Sequence, residues 1–309
     1  MKHNQMRWQI LLLGVLMSLF WLAPLWAQST TACPPQGYSK ESLLELRQKG
    51  FELADEEARN ALARGLLACV AEPDPELRDG VAFEGISTWL RASQLTAETY
   101  QVLYSGLLLQ LQAAPDRAGF RQPFAALILA EVARVDRLQP SLSLDQREQL
   151  VTAAADYLSA VKDYRGFSPS DGWRHGVAHG ADLALQLVLN EAVDAEQLKA
   201  LLAAVGRQVS PMGETFYIYG EPGRLARVVF YAHRRDLLAT EYWQEWFAGV
   251  ASPAPLPAWS EAFSSQAGLA KRHNTLAFFL AMHFNATAAE DEKGKELDQW
   301  VMQALAQLP

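Results

Sequence analysis

Apolar residues recur along most of this chain at steps of three and four, the period of an amphipathic helix and not the alternation of a half-buried strand. Ser39, with Glu41 close behind, predicts a helix to about Phe51. Asp55 offers a cap to the next, in which Ala58, Leu62, Leu66 and Val70 keep helical spacing. Asp74-Pro75 joins a capping oxygen to a proline at the first helical position and predicts a helix to about Arg91. Thr96 with Glu98 opens another, through Leu111. From Phe120 to Val135 most positions are apolar, with Phe124, Leu127, Ile128, Glu131 and Val135 at helical steps, so this run predicts a buried central helix. Leu144 to Lys162 follows. Further on, Asp194 caps a helix to about Val209, Arg224 to Arg234 reads as helix, and Tyr242, Trp243, Trp246 and Phe247 share another. Pro253, Pro255 and Pro257 mark a linker. Trp259 to Asn285 carries one or two helices, and a charged gap at Thr287–Lys295 precedes a last helix ending near Leu308. Only Ser210–Arg224 has β-like character: Phe216, Tyr217, Ile218 and Tyr219 read as a short extended piece or a loop over a concave face.

Helices of this length joined by short turns, with no strand run elsewhere, predict an all-α fold. Helix pairs stacked along an axis give a right-handed α/α superhelix of the HEAT or armadillo kind. No sequence period is evident, so such repeats are degenerate. A closed α/α toroid is the alternative, with its site at the inner helix ends. The domain layout expected is a signal segment over 1–27, an extended arm over 28–38 and a single helical-repeat domain over 39–309.

The densest chemistry lies in residues 163–186, DYRGFSPSDGWRHGVAHGADLALQ. Ser170 or Asp171 can cap a helix running from about Gly172 to about Leu189. On that helix His175, His179 and Asp182, at spacings of four and three, fall on one face. Gly176, Gly180 and Ala184 form a second stripe that lets a neighbouring helix approach. Two imidazoles at this spacing can share a divalent metal, which needs at least one further ligand. His233, His273, His283, Asp163 and Glu221 are candidates, with His273 the first choice. The glutamate of the metalloprotease motif is missing from His175-Gly176-Val177-Ala178-His179. The simpler expectation is that both rings hydrogen-bond at a helix junction and that no cofactor is held. Arg165 is expected to pair with Asp163 or Asp182, Gly166 to take a positive φ, and Trp173 to anchor the first helical turn in the core.

Three pieces of this chain carry a resemblance. They are Asp163-Tyr164-Arg165-Gly166-Phe167 with Gly172-Trp173-Arg174-His175 and Ala178-His179-Gly180-Ala181-Asp182; the stretch Asp74–Leu90; and Phe120–Asp136. Together they resemble a bacterial family catalogued as domain of unknown function 2785, from roughly Asp74 into the C-terminal third. Where that family has Arg-Ser-Phe, this chain has Arg121-Gln122-Pro123-Phe124. The resemblance implies an all-helical, solenoid-like domain and no particular activity.

Composition narrows the functional classes. The 309 residues carry a formal net charge of −8. Removing residues 1–27 takes away Lys2 and Arg7 and no acid, leaving 25 basic against 35 acidic residues. Nucleic acid and anionic membrane surfaces are therefore not expected partners. Lys2, His3 and Arg7, the apolar run Trp8–Leu22, and Pro24 before Leu25-Trp26-Ala27 read as a cleaved secretory signal, which leaves no transmembrane segment. Export to the periplasm or the extracellular space follows, with a lipoprotein through Cys33 as the alternative. In that setting Cys33 and Cys69, the 2 cysteines, are expected to form a disulfide. Aromatics at Tyr217, Tyr219, Trp243 and Trp246 can line a sugar-binding rim. The favoured expectation is a binding or scaffold protein of the cell envelope, taking a peptide, protein or glycan on a concave face. The alternative is a metal-dependent or acid–base hydrolase working through His175, His179 and Asp182.

Overall fold

The computed structural model describes residues 32–309. The signal segment expected at 1–27 and the first residues of the expected arm lie outside the described residues. The fold is all-α. Its helical segments are α1 (Lys40–Gln48), α2 (Glu56–Gly65), α3 (Pro75–Leu77), α4 (Glu84–Arg91), α5 (Ala97–Gln112), α6 (Arg121–Leu138), α7 (Leu144–Ala160), α8 (Gly176–Val188), α9 (Ala195–Val209), α10 (Glu221–Arg234), α11 (Thr240–Ala251), α12 (Gln266–Ala288) and α13 (Glu292–Leu305). A two-stranded antiparallel hairpin, β1 (Phe167–Ser168) and β2 (Gly172–Trp173), completes the described structure.

Most helices begin where a side-chain oxygen can satisfy a free backbone N–H. Ser39, Asp55, Asp74, Thr96, Ser143, Asp194, Ser265 and Asp291 all accept such a bond. Ser39, Ser143 and Asp194 add the reciprocal bond of a capping box. Between α3 and α4 the helix does not break but widens into a π-helical segment, Arg78–Phe83. Such a widened turn re-aims side chains and is frequent at functional sites.

The core runs through the whole array. Successive even-numbered helices pack on one another (α4 on α6, α6 on α8, α8 on α10, α10 on α12), and α5, α7, α9, α11 and α13 form a second succession. The contact of α6 with α8 is the most extensive, and both helices carry small buried residues, among them Ala125, Ala126, Ala133, Ala181 and Ala184. The glycine stripe expected on α8 faces α7. A Cβ at Gly180 would stand 3.0 Å from Leu158 Cδ1 and 3.1 Å from Tyr157 Cε1.

Two devices lock the array. Asp136, 2% exposed, takes two bonds from Arg147 (2.8 and 3.0 Å), one from Asn190, and the backbone N–H groups of Ser141 and Leu142. It thereby joins α6, the loop before α7, and the end of α8. A disulfide links Cys33 to Cys69, with a Cα–Cα distance of 5.0 Å, and ties the N-terminal arm to the end of the second helix. Among the described residues no helix is long and apolar enough to cross a membrane.

Candidate functional site

The central helix starts later than its spacing predicts. Gly172 and Trp173 belong to β2, with Trp173 opposite Phe167 and Gly172 opposite Ser168. Gly172 sits at φ +71, left-handed backbone that glycine adopts without strain, and this turns the chain back on itself. Ser170 and Asp171 lie in the hairpin turn, not at a helix cap; the Asp171 N–H donates to Ser168 Oγ at 3.3 Å. The chain then bonds to its own recent past: the N–H of Arg174 donates to the Gly166 carbonyl and that of His175 to the Arg165 carbonyl. His175, at φ 56, is the residue before α8 and not a member of it. Residues 210–220 run as a loop, the second of the two forms expected there. No strand forms there; the Tyr217 N–H donates to Asn274 Oδ1 at 2.9 Å and pins the segment to α12.

His175, His179 and Asp182 nevertheless share one cavity. The His179 N–H still donates to the His175 carbonyl, so the first turn of α8 sets the two rings edge to face, 5.6 Å between centroids. The cavity has a volume of about 750 Å³. Its walls are Asp79 and Phe83 of the π-helical segment, Glu84 and Arg91 of α4, Phe124 and Glu131 of α6, Trp173 of β2, and Tyr219, Arg224 and Arg227 at the start of α10. Trp173 does not anchor a helix in the core. It is 37% exposed and stacks on His175 at 4.8 Å, with Tyr219 edge-on at 5.6 Å.

Burial sets the protonation of this wall. His175 is pushed down to about 4, mainly by loss of hydration and then by the Arg224 charge, against the Tyr219 carbonyl that its Nε2 meets at 3.1 Å. His179 is pushed down to about 3 by the same loss of water, helped by the charges of His175 and Arg224. Its Nδ1 is buried without a hydrogen-bond partner. Both rings are therefore neutral at pH 7. The acids move the other way. Desolvation raises Asp182 to about 6 although Arg224 pairs with it, and raises Asp79 to about 6 although Arg78 lies at 2.7 Å. Arg78 is fully buried, its guanidinium 3.8 Å from the centroid of Phe120, and it donates to the carbonyls of Glu72, Pro73 and Asp171. This arginine thus joins the π-helical segment to the hairpin.

Other expected residues fall elsewhere. Arg165 pairs with Asp163, its Nε 2.8 Å from Oδ1, and not with Asp182. The pair borders a separate cavity of about 560 Å³ with Gln122, Pro123 and Tyr157. Gly166 does not take a positive φ; it is small because the Tyr219 ring lies against it, where a Cβ would run into the ring's Cδ2 and Cε2. His273 does not join the histidine pair: it lies against Phe216, with Nε2 3.3 Å from the Tyr217 carbonyl. His233 packs between Trp243 and Trp300, and His283 pairs with Asp298 at 2.6 Å. Glu221 comes nearest, its Oε1 4.0 Å from His175 Nε2. Among the described residues no three of His, Cys, Asp or Glu converge in a way that could hold a metal ion. Of the aromatics expected on a sugar-binding rim, Tyr219 lines the cavity, whereas Tyr217 and Trp243 are buried in the core.

Asp79, Glu84, Arg91, Glu131, Arg224 and Arg227 were not expected at the site. Signals were available for three of them: Asp79 and Glu84 lie in the Asp74–Leu90 stretch and Glu131 in the Phe120–Asp136 stretch, both of which resemble the family's pattern. The others look like exposed helix charges until the helices are packed. No curated protein and no solved structure matches the chain. A family model matches residues 107–284, more than half of the sequence, and takes in α6, the hairpin, both histidines and Arg224, while leaving the Asp74–Leu90 stretch outside. The chain therefore belongs to the family described as protein of unknown function (DUF2785).

Proposed function

We propose that this chain is an exported binding protein of the cell envelope, built as an α/α superhelix, and that its cleft around His175, His179 and Asp182 holds a peptide, a protein segment or a glycan. The basic and apolar leader in residues 1–27 supports export. The two successions of packed helices support the superhelix, in which every second helix lines the inner side. The observation that carries the reading is the cleft itself. It is large enough for a small ligand, all but one of its charged side chains are already held by ion pairs, and His179 Nδ1 is left with no internal partner. A wall fixed in this way loses little freedom when it binds, which favours affinity.

Melting curves of the purified protein against a panel of soluble oligosaccharides and peptides test this. At least one member is expected to raise the melting temperature, and Trp173→Ala with Arg224→Gln to abolish the rise. A panel without effect, or an effect the double substitution leaves intact, would contradict it.

A second reading, acid–base hydrolysis, is favoured by one feature: carboxyls that titrate near 6 share a cleft with neutral imidazoles. Asp79 or Asp182 can then give a proton near neutrality. Chromatography of the bound ligand after incubation separates the two readings. Unchanged ligand supports binding alone; cleavage lost in Asp182→Asn supports hydrolysis. A metal-dependent form of this reading needs a ligand beyond His175 and His179, and His273 does not supply it.

A further inference from the structure

Each carboxylate of the cleft wall already has its own arginine. Glu131 is paired with Arg91, Asp182 with Arg224, Asp79 with Arg78 and Glu84 with Arg47. Arg227 is the cation left over. It stands three residues beyond Arg224 on α10, and among the described residues its side chain makes no ion pair or hydrogen bond. The cleft wall thus presents one arginine that no ion pair engages. Arg224 and Arg227 also border a second hollow of about 360 Å³, floored by Gly220 and Gly223 and flanked by Phe284. Phe284 is 72% exposed, and added side-chain atoms at Gly223 would meet nothing within 4 Å. Arg224 and Arg227 line both hollows. A ligand longer than a single ring can therefore run from Trp173 and His179, past Arg227, to Phe284.

Resting on the binding reading above, we propose that the ligand is an oligosaccharide bearing carboxylate groups, of the uronic acid class. One sugar carboxylate takes Arg227 in a charge-assisted bond. Ring hydroxyls, each both donor and acceptor, meet the ion-paired acids, while apolar ring faces lie on Trp173 and Phe284. A single spare positive charge matches a monoanionic carboxylate better than a dianionic phosphate. An acidic peptide would find the same arginine, but the wall is helical apart from Trp173, His175 and Tyr219 and offers little strand edge for its main-chain groups.

Titration calorimetry of the purified protein with trigalacturonate, a glucuronate trimer, the methyl ester of trigalacturonate and triglutamate tests the assignment. At least one uronate trimer is expected to bind about tenfold more tightly than the ester, the weight of one charged hydrogen bond. Arg227→Gln, at an exposed position, is expected to bring the affinity for the acid down to that for the ester. Phe284→Ala is expected to weaken the trimer and spare galacturonate monomer. Equal affinity for acid and ester, tighter binding of triglutamate, or an unaltered preference in Arg227→Gln would overturn the assignment and leave the binding cleft standing. If none of the four binds, the assignment falls, and the oligosaccharide and peptide panel then decides separately whether the cleft binds anything.

Discussion

Burial keeps His175 and His179 unprotonated down to about pH 4 and 3, whereas in the unfolded chain their rings gain protons near 6.5. Between those values the unfolded state binds more protons, so stability falls as pH drops from about 6.5 toward 4. Asp79 and Asp182 act with opposite sign. They titrate near 6 when folded against 3.8 ordinarily, so the folded state holds the extra protons and stability falls as pH rises through that window. The two effects overlap and offset one another, each on the order of 1.4 kcal/mol for every tenfold change in proton affinity between the folded and unfolded states. Removing one pair should uncover the other. Relative to the parent protein, the melting temperature of His175→Gln with His179→Gln is expected to rise as pH falls from 6 to 4. That of Asp79→Asn with Asp182→Asn is expected to fall over the same range. Calorimetry in steps of pH checks both, and profiles parallel to the parent would contradict the burial account. The histidine pair and Asp182 were legible because helical spacing alone places i and i+4 one above the other. Their partners Arg224, Glu131 and Asp79 were not, because packing of distant helices brings them together.

Elements were legible where local chemistry decides them. Asp55, Asp74-Pro75, Thr96 and Asp194 each start a helix as their capping oxygens predict. The hairpin was missed because two strands of two residues leave no period to read, and the apolar pattern of α8 runs smoothly back through Trp173. Its turn depends on the left-handed backbone at Gly172 and on Arg78, which reaches the Asp171 carbonyl from far along the chain. Gly166 supports the same hairpin from the side. Gly166→Ala should push Tyr219 away and loosen its carbonyl from His175 Nε2, now at 3.1 Å. A loss in ligand affinity of about tenfold is expected, the order of one hydrogen-bonding contact set adrift, with retained helical circular dichroism. Unchanged affinity would place Tyr219 outside the binding wall. The Asp136–Arg147 pair carries a different prediction. Asp136→Ala strands a buried guanidinium and should cost about 3–5 kcal/mol in urea unfolding; a cost below about 1 kcal/mol would show the pair to be solvated.

Across the whole molecule, the all-α class was legible from periodicity, and the succession of contacts between every second helix was not, since no repeat marks it in the sequence. The disulfide is a constraint on the N-terminal arm, whose residues 32–38 form no regular element. Cys33→Ser with Cys69→Ser is expected to lower stability by about 2–4 kcal/mol and to leave cleft binding intact, since neither residue touches the cleft. Denaturant titration of the two proteins checks this, and equal midpoints would contradict it. On the proposed reading a neutral histidine pair faces an open, ligand-accepting cleft. Long-range proton–nitrogen NMR of the imidazoles at pH 7, with and without a saturating ligand from the oligosaccharide and peptide panel, tests it most directly. The account expects His175 and His179 to show neutral tautomers that shift on binding while His233 and His283 stay in place. Rings that titrate near 6.5 as in open water, or that ignore a saturating ligand, would contradict it.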